Sequence, residues 1–232
     1  MEHIKEYHHF ISDYSDIQYN ILEEGYDVNK INNNIKEIVK VIKSTGLKDN
    51  NAILGLLSVI GKESGFSPVR ETTKNLPDNE SWLRKKFPGL TGYVGSAVGL
   101  KKNREKAFYN TVYGADTKTG KALGNTEDSD GYNYRGGGYT QLTGKKYYQA
   151  MGIKDPKEIE TPAGAAKALK NSIVSYVGKT PGSLKFKTAE EGVKYFVNKV
   201  RGSSSDFKTQ YDKAIKALNT FLKKGNKYTI PQ

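Results

Sequence analysis

Residues 49–65 read Asp49-Asn50-Asn51-Ala52-Ile53-Leu54-Gly55-Leu56-Leu57-Ser58-Val59-Ile60-Gly61-Lys62-Glu63-Ser64-Gly65, and this stretch decides the fold class. Ile53, Leu56, Leu57 and Ile60 recur three and four residues apart, the spacing of one face of an α-helix. A helix starting near Asp49 or Asn50 is predicted, interrupted by Gly61 and Gly65, with Glu63 continuing the apolar face. A carboxyl at the C-terminal end of such a face leaves water for an apolar setting, which disfavours its charge, and the negative helix end adds to that bias. Glu63 is therefore placed to hold a proton and act as a general acid; the competing expectation is a cap or a surface pair with a lysine such as Lys62.

Working outward, Ile31, Ile35, Ile38, Val39 and Ile42 predict a helix from about Val28 to Ser44, stopped by Gly46. Tyr7, Phe10, Tyr14, Ile17, Tyr19 and Ile21 do not merge with that pattern, so residues 1–27 are read as an amino-terminal extension or arm. Downstream, Ala163 to Val177 reads as a helix closed by Gly178. Thr188 and Glu191 have capping-box spacing ahead of Val193, Phe196, Val197 and Val200. Phe207, Tyr211, Ile215, Leu218 and Leu222 supply a last amphipathic helix ending at Gly225. The middle differs: Tyr113 to Gly144 is dense in glycine, asparagine, aspartate and threonine, and reads as a long loop or small hairpin with β-like pieces such as Tyr139 to Leu142. A loop of that length inside a compact domain usually serves a site. The expectation is a mainly α fold, with one domain over residues 28–232.

Composition narrows the chemistry. The 232-residue chain has no cysteine, which removes disulfides, thiol nucleophiles and thiolate metal sites. Its three histidines, His3, His8 and His9, all lie at the amino terminus, so serine–histidine triads and zinc hydrolase centres are not expected, nor is any metal or cofactor. Acid–base chemistry then falls to carboxylates. Glu71 follows Glu63 by eight residues, beyond a turn suggested by Gly65, Ser67 and Pro68, and could face it across a cleft, although by its own pattern a surface role is the stronger expectation. Thirty-seven lysines and arginines against 25 acidic residues give a formal charge of +12, which suits a polyanionic partner, either nucleic acid or the phosphate- and carboxylate-rich bacterial envelope. No apolar stretch approaches the roughly 20 residues that cross a bilayer. Met1 to Phe10 carries charges and histidines where a secretion signal carries an apolar run.

The segment Tyr134-Arg135-Gly136-Gly137-Gly138-Tyr139-Thr140-Gln141-Leu142-Thr143-Gly144 sets glycines among hydroxyl and amide side chains, a composition able to lie against a sugar and hydrogen-bond it. It is not a phosphate loop: Gly138 and Gly144 are one residue too far apart, and Lys146 stands where serine or threonine is required.

Taken together, Glu63-Ser64-Gly65-Phe66, Glu71, Phe108-Tyr109-Asn110-Thr111-Val112-Tyr113-Gly114 and Tyr134 to Gly144 resemble glycoside hydrolase family 19 in order and spacing, over about Asn50 to Gly202. Within that family the chain most resembles the peptidoglycan-cleaving phage endolysins and their prophage relatives. The resemblance implies a lysozyme-like, two-lobed helical fold with a small β-hairpin or long-loop region. It implies Glu63 as general acid, Glu71 as second carboxylate and Thr143 as the hydroxyl that helps position the attacking water. Substrate contacts are implied for Gln141, Tyr134, Arg135 and Tyr147, and for Asn198 and Arg201 in Val197-Asn198-Lys199-Val200-Arg201-Gly202, which is similar to the family's sugar-binding block. The chain departs from the pattern at four places: one glycine fewer after Glu63, Gly137 for arginine, Tyr147 for asparagine and Arg201 for asparagine.

The activity so implied is cleavage of the peptidoglycan backbone by a muramidase, or lysozyme, or by a lytic-transglycosylase-type endolysin. Its partners would be peptidoglycan and anionic envelope polymers, with a virion or lysis-system partner for the arm. The enzyme would be made in a host cytoplasm and act at the bacterial cell wall. Chitin cleavage is the same-chemistry alternative, although uncharged chitin needs no positive field. A non-catalytic basic module holding wall polymer or nucleic acid is the alternative from another class; the 16 tyrosines suit stacking on sugars and bases alike.

Overall fold

The computed structural model describes residues 28–178, 180–201 and 207–231. The expected arm, residues 1–27, lies outside the described residues with all three histidines, as does Gly202. Helices α1 (Val28–Ser44) and α2 (Asn50–Ser64) come first. Six short helices follow: α3 (Glu80–Lys86), α4 (Ala97–Asn103), α5 (Glu105–Tyr113), α6 (Lys118–Ala122), α7 (Asp130–Asn133) and α8 (Lys145–Ala150). Three longer ones close the fold: α9 (Pro162–Val177), α10 (Ala189–Arg201) and α11 (Phe207–Leu222), with a hairpin of β1 (Lys223–Lys224) and β2 (Lys227–Tyr228) behind them. The described chain is mainly helical, and none of its helices is long and apolar enough to cross a membrane.

Helix α2 is the centre of the molecule. Asp49 caps its start, accepting a 2.8 Å hydrogen bond from the Ala52 N–H. Every residue from Ala52 to Ser64 is buried, so a stretch whose periodicity marks one apolar face is covered on all sides, by α10 and α11 among others. At the crossing with α10 the backbones touch: a Cβ on Gly55 would lie 2.2 Å from the Gly192 carbonyl carbon, and one on Gly192 2.3 Å from the Asn51 carbonyl oxygen.

Gly61 does not interrupt this helix, as its place in the sequence suggests. It makes room for the Phe66 ring, which a Cβ at position 61 would meet at 2.7 Å. The helix ends at Gly65 (φ 55°), followed by Phe66 (φ 63°), so two consecutive left-handed residues swing the chain back. A non-glycine residue pays about 1–2 kcal/mol for that conformation. Phe66 is wholly buried, edge-on to Phe221 at 5.1 Å, and such burial contributes about 1.5–3 kcal/mol, enough to hold the turn.

The buried side chains form two hydrophobic clusters. One joins α1, α2, α9, α10 and α11 through residues such as Ile35, Ile53, Leu57, Leu169, Phe196 and Leu218. The other lies within residues 76–168 and includes Leu83, Phe108, Val112, Tyr148 and Ile159. Helix α9 serves both, with Leu169 and Ile173 in the first and Ala168 in the second. So does the glycine-rich segment, whose Tyr139 enters the first cluster and Leu142 the second.

The stretch expected as one long loop contains α6 and α7. Thr117 caps α6 through the Gly120 N–H at 2.8 Å. The Asp130 carboxylate accepts the N–H groups of Thr126 and Glu127 and pairs with Lys145 at 2.9 Å. Burial opposes that charge, yet the Thr126 N–H, Lys145 and the Glu127 N–H together hold Asp130 below the usual carboxylate range. Tyr139 to Leu142 is not a strand: residues 138–141 turn, and Gly137 and Leu142 exchange backbone hydrogen bonds of 3.0 and 2.8 Å across the turn. The last helix stops at Leu222, three residues before Gly225. Gly225 (φ 58°) is instead the first central residue of the β1–β2 turn, where glycine is favoured.

Candidate active site

Glu63 sits in the last turn of α2 and is 2% exposed. Its burial is as expected, but its setting is not apolar. The Lys62 ammonium is 2.5 Å from Oε1, with both side chains 1% exposed, and also donates to Gln210 Oε1 of α11 at 2.9 Å. Lysine pairing stood as the alternative to a proton-holding carboxyl, although at the surface; here the ion pair is internal. On the α9 side, Glu63 acts electrostatically on half-buried Tyr176, whose phenol is raised to about 12 by the burial of its hydroxyl end, with Ser172 opposing and Glu63 adding.

Glu71 lies beyond the turn made by Gly65 and Phe66 and is 5% exposed. Its backbone joins the glycine-rich segment: its N–H donates to the Gly136 carbonyl at 2.8 Å, and the Gly138 N–H donates to the Val69 carbonyl at 3.0 Å. Gly137 bridges Arg70 on one side and Leu142 on the other, a miniature three-stranded arrangement. Glu71 Oε2 accepts the Gly136 N–H at 2.9 Å, and Oε1 accepts the Tyr113 hydroxyl at 3.5 Å. Residues 71 and 136, 65 apart in sequence, are therefore held together by backbone and side chain alike.

Gly137 is closely surrounded. A Cβ there would lie 2.7 Å from Tyr148 Oη and Ile159 Cγ2 and 3.0 Å from Arg70 Cδ. The Arg70 side chain passes beside Gly137, and its guanidinium donates to the carbonyls of Pro156 (2.8 Å) and Asn133 (2.5 Å). Burial pulls its pKa down from the ordinary arginine value.

Gln141 is buried at φ 50°, its amide Nε2 donating to the carbonyls of Val69 (3.0 Å) and Gly138 (3.1 Å). Thr143 Oγ1 donates to the Gln141 carbonyl at 3.0 Å. Arg135 donates from Nε to the Glu71 carbonyl at 2.9 Å and lies 3.8 Å above the Tyr132 ring, so it fastens Glu71 from behind. Tyr134 is half-buried, edge-on to Tyr148 at 5.3 Å.

Two residues, Tyr147 and Asn198, stand apart from this group. Tyr147, under the Lys146 ammonium at 4.9 Å, lines a 660 Å³ cavity between α8 and α9. Asn198 is exposed on α10. Arg201 ends α10, and its side chain lies outside the described residues. Conversely, Arg70, Tyr109 and Tyr113 surround Glu71 without having been singled out one by one; Tyr109 and Tyr113 lie in the 108–114 block, and nothing local marks Arg70.

Among the described residues no group of three or more histidine, aspartate or glutamate side chains could hold a metal ion. Comparison of the chain with known families, characterised proteins and solved structures finds no match.

Proposed function

We propose that this chain is a peptidoglycan glycoside hydrolase, a muramidase or lytic-transglycosylase type of enzyme, with Glu63 as acid and Glu71 as second carboxylate. The observation that carries the reading is the junction of Glu71 with the glycine-rich segment. Two blocks that resemble family 19 meet there through the Gly136 N–H on Glu71 Oε2 and the Arg70–Gly137 bridge. Backbone strain supports it, because Phe66 and Gln141, the described non-glycine residues with positive φ, fall in the 63–66 and 134–144 blocks of the resemblance, and strain of this kind concentrates at functional sites. In this reading Glu71 and the Thr143 hydroxyl serve the attacking water, and the net charge of +12 holds the enzyme on anionic envelope polymers.

One observation favours a second reading. Lys62 pairs with Glu63 inside the molecule, whereas a general acid has to hold a proton, and an acid tied up in this way fits a non-catalytic wall-binding module. Mass spectrometry of a purified peptidoglycan digest separates the two, and the product end distinguishes hydrolysis from transglycosylation. New reducing or anhydro ends, absent with Glu71→Gln, support the enzyme. Sedimentation of the protein with intact walls and no released fragments rejects it, and cleavage of chitin oligosaccharides alone moves the substrate to chitin.

A further inference from the structure

Tyr109 on α5 is completely buried, and its hydroxyl has no hydrogen-bond partner among the described residues. Packing alone does not account for that hydroxyl: burying it unbonded forfeits its hydration, and the preceding residue, Phe108, fills the same cluster without one. The ring lies against Phe108 (5.5 Å, edge-on), Tyr132 (6.5 Å) and the Arg135 guanidinium (5.7 Å). One helical turn on, Tyr113 stacks beside it, with centroids 6.1 Å apart and planes 19° from parallel. That second ring is the one whose hydroxyl reaches Glu71 Oε1, and at 3.5 Å the bond is long. The other carboxylate oxygen is already bonded to the Gly136 N–H.

The titratable and charged groups facing Tyr109 are Glu71, Tyr113, Glu105 and Arg135. Burial pushes its phenol well above the ordinary value, and Glu71 adds more than any other charge. Tyr109 is therefore a protonated donor at neutral pH.

We propose that Tyr109 is a positioning residue for Glu71: with Tyr113 it forms a two-hydroxyl clamp on Oε1 that closes when the carboxylate goes to work. Hydrogen bonds in catalytic sites are often long before substrate arrives and tighten in the complex, which fits the stretched Tyr113 contact and the waiting Tyr109 hydroxyl. The proposal rests on Glu71 being the working carboxylate of the reading above.

Tyr109→Phe keeps the ring and removes only the hydroxyl. The expected result is a melting temperature unchanged or raised, because an unbonded buried group is lost, together with a fall of about tenfold in kcat on peptidoglycan at unchanged KM. Turnover then falls with no loss of stability, which a merely structural residue would not produce. A carbon-13 titration of the Glu71 carboxyl in the presence of a peptidoglycan fragment too short to be cleaved should show the midpoint raised in Tyr109→Phe, since the charged form loses the donor that closes on it. In the Tyr109→Phe/Tyr113→Phe double variant the two shifts should be non-additive. A higher melting temperature with kcat and the Glu71 midpoint both unchanged overturns the clamp. A shifted midpoint in a protein whose wild type releases no glycan fragments supports the clamp and rejects the hydrolase.

Discussion

Lys62 Nζ lies 2.5 Å from Glu63 Oε1 inside the molecule, two consecutive residues of one helix forming an ion pair with 1% of either side chain exposed. Removing one partner of such a pair leaves the other charge buried, at a typical cost of about 3–5 kcal/mol. Glu63→Gln is therefore not structurally neutral. It should lower the melting temperature clearly and reduce wall lysis about a hundredfold or more. Lys62→Met/Glu63→Gln should regain stability without regaining activity. Near wild-type lysis by pure Glu63→Gln protein would remove Glu63 from the mechanism.

The glycine at 136 is required by what faces it. A Cβ there would sit 3.1 Å from both Glu71 Oε2 and Gln141 Oε1, so each side chain has to move by a few tenths of an ångström. Gly136→Ala should fold with a modest loss of stability and lose at least tenfold in turnover, as small displacements of catalytic groups commonly do. Normal turnover with an intact fold would show that the place of Glu71 does not matter to catalysis.

Thr143 holds a backbone carbonyl in the structure, a role that competes with the positioning of water. Thr143→Val removes the 3.0 Å bond to the Gln141 carbonyl, worth about 1 kcal/mol, or about 2–4 °C in melting temperature for a chain of this size. We expect kcat to fall about tenfold as well, with little change in KM, and Thr143→Ser to recover most of both. A destabilised valine variant with normal turnover at low temperature would leave Thr143 a purely structural residue.

Glu80 makes stability depend on acid. It accepts the N–H groups of Ala97 and Val98 at the start of α4, then Arg84 and the Ser96 hydroxyl, and these bonds outweigh desolvation and pull its pKa from 4.5 to about 2. Because the folded value is the lower one, the stabilisation is fully present above about pH 4.5 and is lost as pH falls toward about 2. Glu80→Gln should melt below the wild type at pH 7, and the gap should close across that window. A gap of equal size at pH 7 and pH 2 would contradict the assignment. Arg84, paired to Glu80, also holds the carbonyls of Leu90, Tyr93 and Gly95, so that loop should loosen along with the charge.

What the sequence by itself determined is the set of long helices. α1, α2, α9, α10 and α11 were legible because Ile31 to Ile42, Ile53 to Ile60 and Phe207 to Leu222 repeat an apolar face every three to four residues, a local property of the chain. The candidate carboxylates were legible for a related reason, as acids at the edge of an apolar face and inside motifs. The short helices α3 to α8 were not, because several are finished by groups far away in sequence, such as Glu80 capping α4 from 17 residues before Ala97. Only the tertiary structure decided that Gly61 serves Phe66, that Arg70 takes the space beside Gly137, and that Glu71 rests on Gly136. It alone placed Lys62 indoors with Glu63. Periodicity reports which face of a helix leaves water, but the charge and shape that meet that face come from other segments, and their meeting is settled by packing.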